Sequence, residues 1–404
     1  MAAPSTIRHL NPRPLAVIGT HPVQYLAPVY AAVERECGVP VHAIYGSDFS
    51  IKGGVDLFFQ KPIIWDNFTI DPRTTTFLST VANHTPRSVL EVKAAGLYQA
   101  LKKVSPGAVL LTGYSPWFHM SAFFQARRLG APILFRGDAT DYAWQGSAGK
   151  RWMRDQVLRR IYRRCDRLLP IGTHAYEHYK RLGCPDAKMI PAPFCVDVSA
   201  FAAGEDSRQQ LRAAKRREMS IDEAQMFVLY SGKLAHYKGP HLVIEGVRRM
   251  PKPDRERVVV VFLGSGPERD RLEALASGPE PVRVYFAGFQ NQTQLSPYYH
   301  CADLIVLASY RETWGLVVNE ALQHGLPCVV SDSVGCAVDL IEPGVTGEIA
   351  VTGDAESLAA AIVRGLRLAR DPEVRRKCRQ RVSAFSVERA AEGIAQAYWS
   401  VIGN

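Results

Sequence analysis

The sequence predicts an α/β protein of two doubly wound, Rossmann-like domains that face each other across a cleft. Three observations support this class. The chain has 404 residues, enough for two domains of roughly 100–200 residues each. Apolar runs of strand length alternate with amphipathic helical patterns, as in parallel sheets that are covered on both faces. A stretch rich in Ala, Ser and charge, Pro191–Ser220, separates these runs into two groups.

Each group contains five predicted strands. In the first half they are Leu15–Gly19, Val41–Gly46, Ala108–Gly113, Pro132–Gly137 and Arg167–Gly172. In the second half they are Met226–Gly232, Arg257–Gly264, Arg283–Gly288, Asp303–Ser309 and Cys328–Asp332. Helices are predicted near the end at about 354–369, 371–383 and 386–401. We therefore predict a first domain at 1–195, a linker at 196–222, a second domain at 223–383 and a final helix at 384–404.

The composition excludes several classes of protein. With 47% hydrophobic and 22% charged residues, the chain is an ordinary globular one. No apolar run approaches the roughly 20 residues that a membrane helix needs, and Met1–Pro14 has no stretch typical of a secretory signal. Eight scattered cysteines form no Cys-x-x-Cys pair, so we expect reduced thiols and a cytoplasmic location.

Positive charge is concentrated in the first half. Residues 1–195 hold 24 basic and 13 acidic side chains, a net +11, whereas residues 196–404 hold 25 and 26, a net −1. Eleven of the basic residues and four of the acidic ones lie within 150–188. This excess predicts an anionic partner, for which a membrane surface, a phosphorylated substrate and nucleic acid are all candidates.

The basic segment itself predicts an amphipathic helix. Apolar residues recur at helical spacing and form one side of the predicted helix: Met153, Val157, Leu158, Ile161 and Cys165. Arginines form the opposite side: Arg154, Arg160, Arg163, Arg164 and Arg167. An ordinary surface helix docked on the sheet explains this pattern. A face within 150–181 that attracts anionic lipid headgroups explains it as well. Nucleic acid is disfavoured, because no stacking motif accompanies the charge.

The most specific stretch runs from Leu307 to Asp332. A predicted strand ends at Ser309, Glu312 follows in a loop, and Glu320 lies about a turn and a half along the next helix. The main-chain N–H groups of Gly315, Leu316 and Val317 would stand at the start of that helix, where a phosphate can bind. Spacing alone explains Glu320 equally well as a solvated helix carboxylate.

Two further loops follow strands of the second half. The loop after Tyr230 carries Lys233 and Lys238, which could clamp a diphosphate or remain solvated. The stretch Phe262–Arg269 contains Gly264 and Gly266. It lacks the third glycine of a dinucleotide fingerprint, so it indicates a tight turn beside a nucleotide better than a Rossmann cofactor site.

In the first half, polar residues follow two of the predicted strands. His21 and Gln24 come after the first strand, where they could reach a phosphate or an acceptor. Arg136 and Asp138 come after the fourth strand. Arg136 could pair with Asp138 or Asp141, or face an anionic group. Structural roles, as loop or helix-capping residues, remain open for these positions.

Together these stretches resemble glycosyltransferase family 4, retaining enzymes of the GT-B fold, most strongly over 226–350. Glu312 and Glu320 match the E-x7-E signature of that family, which implies contacts with the donor sugar and with the ribose. Lys238 matches its diphosphate-binding lysine, and Lys233 stands where an arginine is usual. The resemblance also implies donor contacts from the remaining loop positions, namely Gly264, Gly266, Phe289, Thr313, Trp314, Gly315, Leu316 and Val317.

The resemblance implies a metal-independent hexosyltransferase without a cofactor. A nucleotide diphospho-sugar would be its donor, and a saccharide or lipid-linked acceptor would enter from the first domain, in polysaccharide or lipopolysaccharide synthesis. The final helix would return to the first domain. Asp138 stands where the family often has a catalytic-site histidine, and the stretch 47–87 is expected to recognise the acceptor. A sugar-nucleotide epimerase, a phosphorylase and a non-catalytic protein that binds membranes or anionic polymers remain alternatives.

Overall fold

The computed structural model contains two six-stranded parallel sheets, each flanked by helices. It describes residues 12–52, 55–56, 61–62, 70–82, 89–141, 146–199, 201 and 205–402. The strand order is β5-β2-β1-β6-β7-β8 in the first sheet and β11-β10-β9-β12-β13-β14 in the second. The order reverses beside the first strand in each sheet, as in doubly wound folds. The predicted fold class is therefore confirmed.

Within its described residues, the first unit holds eight strands and five α-helices. The strands are β1 (Leu15–Gly19), β2 (Val41–Ser47), β3 (Val55–Asp56), β4 (Lys61–Pro62), β5 (Thr75–Ser79), β6 (Ala108–Leu111), β7 (Ile133–Phe135) and β8 (Arg167–Leu168). The helices are α1 (Ala27–Arg35), α2 (Leu97–Val104), α3 (Trp117–Leu129), α4 (Ala148–Arg164) and α5 (Thr173–Arg181). The strands β3 and β4 form a separate antiparallel pair.

The second unit repeats the architecture after the helix α6 (Glu205–Glu218). Its strands are β9 (Met226–Ser231), β10 (Val258–Leu263), β11 (Arg283–Gly288), β12 (Leu304–Leu307), β13 (Cys328–Ser331) and β14 (Gly347–Ala350). Its helices are α7 (Pro240–Arg249), α8 (Lys252–Arg255), α9 (Arg269–Ala276), α10 (Ser296–Cys301), α11 (Leu316–Gln323), α12 (Ala337–Leu340), α13 (Ala355–Leu368), α14 (Val374–Val382) and α15 (Val387–Ile402).

Apolar strands occupy the centre of both sheets. All five residues of β1 are buried, and all six of β10, Val-Val-Val-Val-Phe-Leu, are buried as well. Such strands can only be stable where helices cover both faces of the sheet. The parallel strands of each sheet end at one edge, and these two edges face the cleft between the units.

Two edge strands were absent from the sequence prediction. β5 pairs with β2 at one end of the first sheet, and β14 pairs with β13 at one end of the second. Every residue of β5 is only half-buried, because an edge strand has a neighbour on one side only. Polar residues are tolerated in such an edge strand, so β5 lacks the continuous apolar run by which a central strand is recognised.

The predicted linker also contains regular structure. Helix α6 lies within it and packs against the second unit, where Arg212 donates to the Cys301 carbonyl (2.6 Å) and to Asp303 (2.9 Å). Arg216 is fully buried and donates to the carbonyls of Asp222 and Gln225, both at 2.6 Å. These charges therefore belong to a packed helix and not to an open linker.

Helix α15 returns to the first unit, as predicted. Its residues Ala390, Ile394 and Tyr398 share a buried apolar cluster with Leu15 and Val17 of β1. Within the described ranges, no helix has the length and apolar character needed to cross a bilayer.

Candidate functional site

The cleft between the units contains a cavity of 390 Å³. Its walls come mainly from the loops that follow β1, β6 and β7, and Thr313 contributes from the opposite unit. The residues that argue for a site are polar or aromatic: His21, Tyr25, His119, Arg136, Asp138 and Thr313. The cavity therefore lies where ligands of doubly wound sheets are usually bound, beyond the carboxyl ends of the strands.

Three loops of the second unit are joined by main-chain hydrogen bonds beside this cleft. Gly232 donates to the carbonyl of Leu263 (2.9 Å), Leu234 donates to that of Ser265 (3.0 Å), and Gly264 donates to that of Gly288 (2.8 Å). The loops after β9, β10 and β11 thus form one surface. Lys233, Gly264, Gly266 and Phe289, far apart in sequence, come together there.

Glycine is required at the turn after β10. A Cβ atom on Gly264 would lie 1.9 Å from the carbonyl oxygen of Gly232, and one on Gly266 would lie 2.4 Å from that of Leu234. Both distances are far below van der Waals contact, and the obstructing atoms belong to the main chain. The two glycines therefore allow the loops after β9 and β10 to approach each other.

Lys238 and Glu312 form a direct ion pair across two loops. Lys238 ends a short 3-10 helix, His236–Lys238, and Glu312 lies in the loop between β12 and α11. The lysine ammonium donates to Oε2 of Glu312. Both side chains are more than four-fifths buried, so each charge depends on the other for compensation. The structure brings together two residues that sequence analysis had placed in one site.

Glu320 is buried in α11 and is not the solvated helix carboxylate that spacing alone allowed. Its Oε2 atom accepts a hydrogen bond from the Tyr299 hydroxyl at 2.6 Å. Burial raises the pKa of Glu320 to about 7, while the bond from Tyr299 opposes that rise. The side chain therefore changes charge near neutral pH.

The loop before α11 divides its residues between the cleft and the core. Thr313 is exposed and lines the cavity. Gly315 adopts φ 102° immediately before the helix, and Leu316 and Val317 begin the helix half-buried. Trp314 is buried, and its indole N–H donates to Asn319 at 2.8 Å. The indole of Trp314 therefore packs in the core. This placement differs from the donor contact that the resemblance implied for this residue.

Arg136 does not pair with either aspartate suggested by its sequence position. Its side chain is 2% exposed and donates to the main-chain carbonyls of Ala192 (3.0 Å) and Pro193 (2.7 Å). Burial lowers the pKa of the guanidinium. Asp141 instead accepts hydrogen bonds from His178 and Arg181. Arg136 therefore ties β7 to the segment that leads out of the first unit.

Asp138 projects into the cleft, with its side chain open to the cavity. Displacement of water by the surrounding walls raises its pKa. The pKa of Tyr25 is raised to about 12, first by burial and then by the negative charge of Asp138, with a smaller contribution from Glu312. Carboxylates of both units therefore act on one phenol at the centre of the cleft.

Two neutral histidines line the first-unit side of the cavity. Burial lowers the pKa of His21 to about 4, and burial together with His21 lowers that of His119 to about 4. His119 was missed by sequence analysis, although its position in the first turn of α3, the helix that follows β6, could have signalled it. Gln24 is not among the cavity-lining residues, and its buried Oε1 atom has no hydrogen-bond partner in the described part of the chain.

Helix α4 has a different face from the one predicted. Leu158, Ile161 and Cys165 are buried as expected, but Met153 is 57% and Val157 46% exposed. Arg154, predicted on the polar face, is largely buried and contacts Asp141 and Asp155. Trp152, which is 64% exposed, joins Met153 and Val157 on the outer surface. The helix therefore exposes apolar side chains beside its arginines.

Part of the expected acceptor region is not covered. Of the stretch 47–87, the residues 53–54, 57–60, 63–69 and 83–87 lie outside the described ranges. The described first residues of this stretch contact the cleft. The ring of Phe49 lies 4.7 Å from that of His21, which lines the cavity.

Comparison with known proteins identifies the second unit by sequence. Residues 212–384 match the family model of glycosyl transferases group 1. A D-inositol 3-phosphate glycosyltransferase of Geodermatophilus obscurus is 32% identical over 231 residues, which are 55% of this chain and 49% of that protein. The chain thus aligns with about half the length of this curated relative.

Solved structures match the fold over nearly the whole chain. A sucrose-phosphate synthase from Thermosynechococcus elongatus has a TM-score of 0.70 at 22% identity, covering 97% of this chain and 99% of that one. The Anabaena protein HepE in complex with UDP and glucose has a TM-score of 0.66 at 16% identity, covering 96% and 100%. The resemblance to group 1 glycosyltransferases is therefore confirmed by sequence for residues 212–384, and the two-unit fold is shared with these structures over nearly the whole chain.

Proposed function

We propose that this chain, whose residues 212–384 form a group 1 glycosyltransferase domain, is a retaining glycosyltransferase that uses a nucleotide diphospho-sugar. The Lys238–Glu312 pair is the observation that carries the proposal. It places a cation and a carboxylate together at the carboxyl end of the second sheet, next to the glycine turn. The cation can compensate the negative charge of a diphosphate, and the carboxylate can accept hydrogen bonds from sugar hydroxyls.

The donor would lie along the joined loops of the second unit. Lys238 and Lys233 would compensate the negative charge that develops as the nucleotide diphosphate departs, and the start of α11 would add its main-chain N–H groups. Glu312 would then accept hydrogen bonds from the sugar, and Glu320 from the ribose. In this arrangement cationic side chains stabilise the leaving group, so we propose that no metal ion is required.

The acceptor would enter the cavity of the first unit. Asp138 reaches the cavity from β7, and His21 and His119 stand there as neutral imidazoles. These groups accept or donate hydrogen bonds without adding fixed positive charge, which suits the hydroxyls of a saccharide. Asp138 would accept from a hydroxyl, in the place where the family often has a histidine.

We further propose that the enzyme works at a membrane and takes a lipid-linked saccharide as acceptor, in the synthesis of a cell-surface polysaccharide or lipopolysaccharide. The exposed face of α4 supports this part, because it combines Trp152, Met153 and Val157 with exposed Arg160 and Arg164. Aromatic and basic side chains on one helix face are typical of contact with anionic headgroups. All eight cysteines are unpaired, which suits the cytoplasmic side.

The experiment that tests transfer follows donor consumption in EDTA. The protein is incubated with UDP-, GDP-, ADP- or dTDP-sugars and simple saccharide acceptors, and the product anomer is assigned by NMR. Release of the nucleotide diphosphate with the donor's anomeric configuration kept in the product is the expected result. An absolute requirement for inorganic phosphate would indicate a phosphorylase, and conversion of the donor sugar without an acceptor would indicate an epimerase.

A further inference from the structure

We infer that His236, His241 and Glu268 form a binding site for a zinc-like transition-metal ion. The site lies at the loops that follow β9 and β10, called here the donor loops. One nitrogen of each imidazole and one carboxylate oxygen lie within 4.8 Å of one another. Two imidazoles and a carboxylate are a ligand set that zinc commonly takes, with water in the fourth position. In the described part of the chain, no other group of His, Cys, Asp and Glu meets this criterion.

The chain folds so that three separate elements supply the ligands. His236 begins the 3-10 helix that follows β9, His241 is the second residue of α7, and Glu268 directly precedes α9. The two imidazole rings are stacked and parallel, with centroids 4.7 Å apart and an interplanar angle of 3°. Because the lone pair of each nitrogen lies in the plane of its ring, the His236 ring, whose side chain is 61% exposed, must turn before both imidazoles can bind one ion. The Nδ1 atom of His236 lies 3.8 Å from Oε2 of Glu268.

His241 supplies the independent sign of a missing ligand. Its side chain belongs to a residue only 4% exposed, yet its Nδ1 atom has no hydrogen-bond partner among the described residues. Its Nε2 atom contacts the Tyr310 hydroxyl at 3.0 Å. When Nε2 donates to Tyr310, Nδ1 carries a lone pair for a metal, and the tyrosine orients the ring as outer partners of metal-binding histidines do.

Binding requires a turn of the His236 ring and a small closure of the site. Ligand atoms about 2.0–2.2 Å from a tetrahedral zinc ion are about 3.4 Å from one another, so the present spacing must shrink by roughly 1 Å. Arg271 must also move, because it donates to Glu268 at 2.9 Å and lies 3.5 Å from Nδ1 of His236. Its side chain is 59% exposed and can turn into solvent.

The position of Lys238 gives the site a consequence. This lysine lies between His236 and His241 in sequence, so an ion held by both histidines and Glu268 would fasten its loop to the start of α9. The ion would lie beside the donor loops without replacing the lysines that face the diphosphate. The inference is thus independent of whether the transfer step needs a metal.

The test is calorimetric titration of ZnCl₂ into the 404-residue protein, stripped with EDTA and free of a histidine tag. We expect one zinc ion to bind, and His236→Ala and Glu268→Gln each to weaken binding by about tenfold or more. Arg271→Gln should tighten binding, because it removes the competing cation. Glu273→Gln, on the same helix α9 and paired with Arg269, should leave zinc affinity unchanged.

The readouts separate this inference from the proposed transferase. Equal zinc affinity in the wild type, His236→Ala and Glu268→Gln would overturn it, whatever the protein does with nucleotide sugars. Replacement of zinc by Co²⁺ gives a second check, since a thiolate charge-transfer band would assign the metal to cysteines and contradict the site. Because His236 is exposed, its loss tests the site without disturbing the core around His241.

Discussion

At the scale of single residues, the Lys238–Glu312 pair is the centre of the account. Its two members come from loops 74 residues apart in sequence, and both are largely buried. A buried pair of this kind contributes less to stability than its short contact suggests, because both charges lose hydration. Its value lies in holding two opposite charges where a diphosphate and a sugar would meet.

Lys238→Ala should lower kcat/KM by about 10²–10³, the usual cost of losing one group that stabilises the charge of a transition state. Glu312 would also lose its partner. Initial rates of nucleotide diphosphate release measure the effect. Lys252→Ala is the matched control. That lysine is 75% exposed, and its ion pair with Glu256 is long, at 3.8 Å. Near-normal turnover of Lys238→Ala would remove this lysine from the mechanism.

The raised pKa of Glu320 predicts a pH-dependent donor affinity. Ribose hydroxyls donate best to an ionised carboxylate, so the donor Kd should fall as the pH rises through about 7. Glu320→Gln should bind the donor more weakly and with little pH dependence. Titration of the nucleotide at several pH values checks this, and a pH dependence that persists in Glu320→Gln would contradict the assignment.

The same carboxyl affects the stability of the unliganded protein. A folded-state pKa of about 7, against the ordinary 4.5, means that the folded state holds its proton longer than the unfolded chain. Stability should therefore decline by about 3 kcal/mol as the pH rises from 4.5 through 7. Glu320→Gln should lose that part of the decline, which denaturant titrations at both pH values would show.

Sequence analysis placed most of these residues without showing their surroundings. The family resemblance carried by Glu312, Glu320 and the lysine loop predicted one site, and that assignment stays a prediction. Spacing left open whether Glu320 was solvated, because burial depends on Tyr299 and other residues from α10 that no local pattern reveals. Arg136 shows the same limit, since its partners are carbonyls of residues 192 and 193, more than fifty positions away.

At the scale of elements, the start of α5 is capped by the opposite unit. No side chain of its own segment caps this helix. Asp339 of α12 accepts from the Thr173 hydroxyl at 2.6 Å and from its main-chain N–H at 3.0 Å. An acidic group at a helix N-terminus also interacts favourably with the helix dipole. This contact fixes the first unit against the second.

Asp339→Asn should destabilise the protein by about 1.5–3 kcal/mol, the usual range for hydrogen bonds to a charged group. It should also loosen the orientation of the units and lower kcat/KM, although Asp339 does not line the described cavity. Denaturant unfolding and initial rates measure the two effects. Glu342→Gln, which changes an exposed carboxylate three residues away, is the control. Stability of Asp339→Asn equal to that of the wild type would contradict a stabilising role for the contact between Asp339 and Thr173.

Helix α4 predicts association with anionic vesicles. Wild-type protein should co-sediment with vesicles of phosphatidylglycerol at low salt, and less as salt screens the charges. The double substitution Trp152→Ala and Val157→Ser should reduce sedimentation. Tyr285→Ala, which removes an exposed aromatic from the second unit, should not. Equal sedimentation of all three proteins would rule out α4 as the docking face.

The predicted apolar stripe of α4 was right for Leu158, Ile161 and Cys165 and wrong for Met153 and Val157. Helical periodicity finds an apolar stripe, but it cannot decide which residues at the edge of the stripe reach the core. Leu158 and Ile161 do, whereas Met153 and Val157 lie at the edge and stay outside. Edge strand β5 was missed for a related reason, because its half-buried residues form no continuous apolar run.

At the scale of the whole molecule, we propose that donor and acceptor binding are divided between two similar units. The second sheet gathers the lysines, the glycine turn and both glutamates, and the first sheet supplies a cavity lined by His21, His119, Asp138 and Arg136. The repeated alternation of strands and helices made this architecture predictable from sequence. The width of the cleft was not, because it depends on contacts such as Asp339 with Thr173 that join residues 166 positions apart.

Thermal stability with nucleotide sugars in EDTA tests most directly whether the second unit binds a nucleotide diphospho-sugar through Lys238. A donor at about 100 times its Kd should stabilise the fold by about 2.7 kcal/mol. We predict a shift with one class of base in the wild type and a much smaller shift in Lys238→Ala. An equal shift in both proteins, or no shift with any UDP-, GDP-, ADP- or dTDP-sugar, would contradict the account.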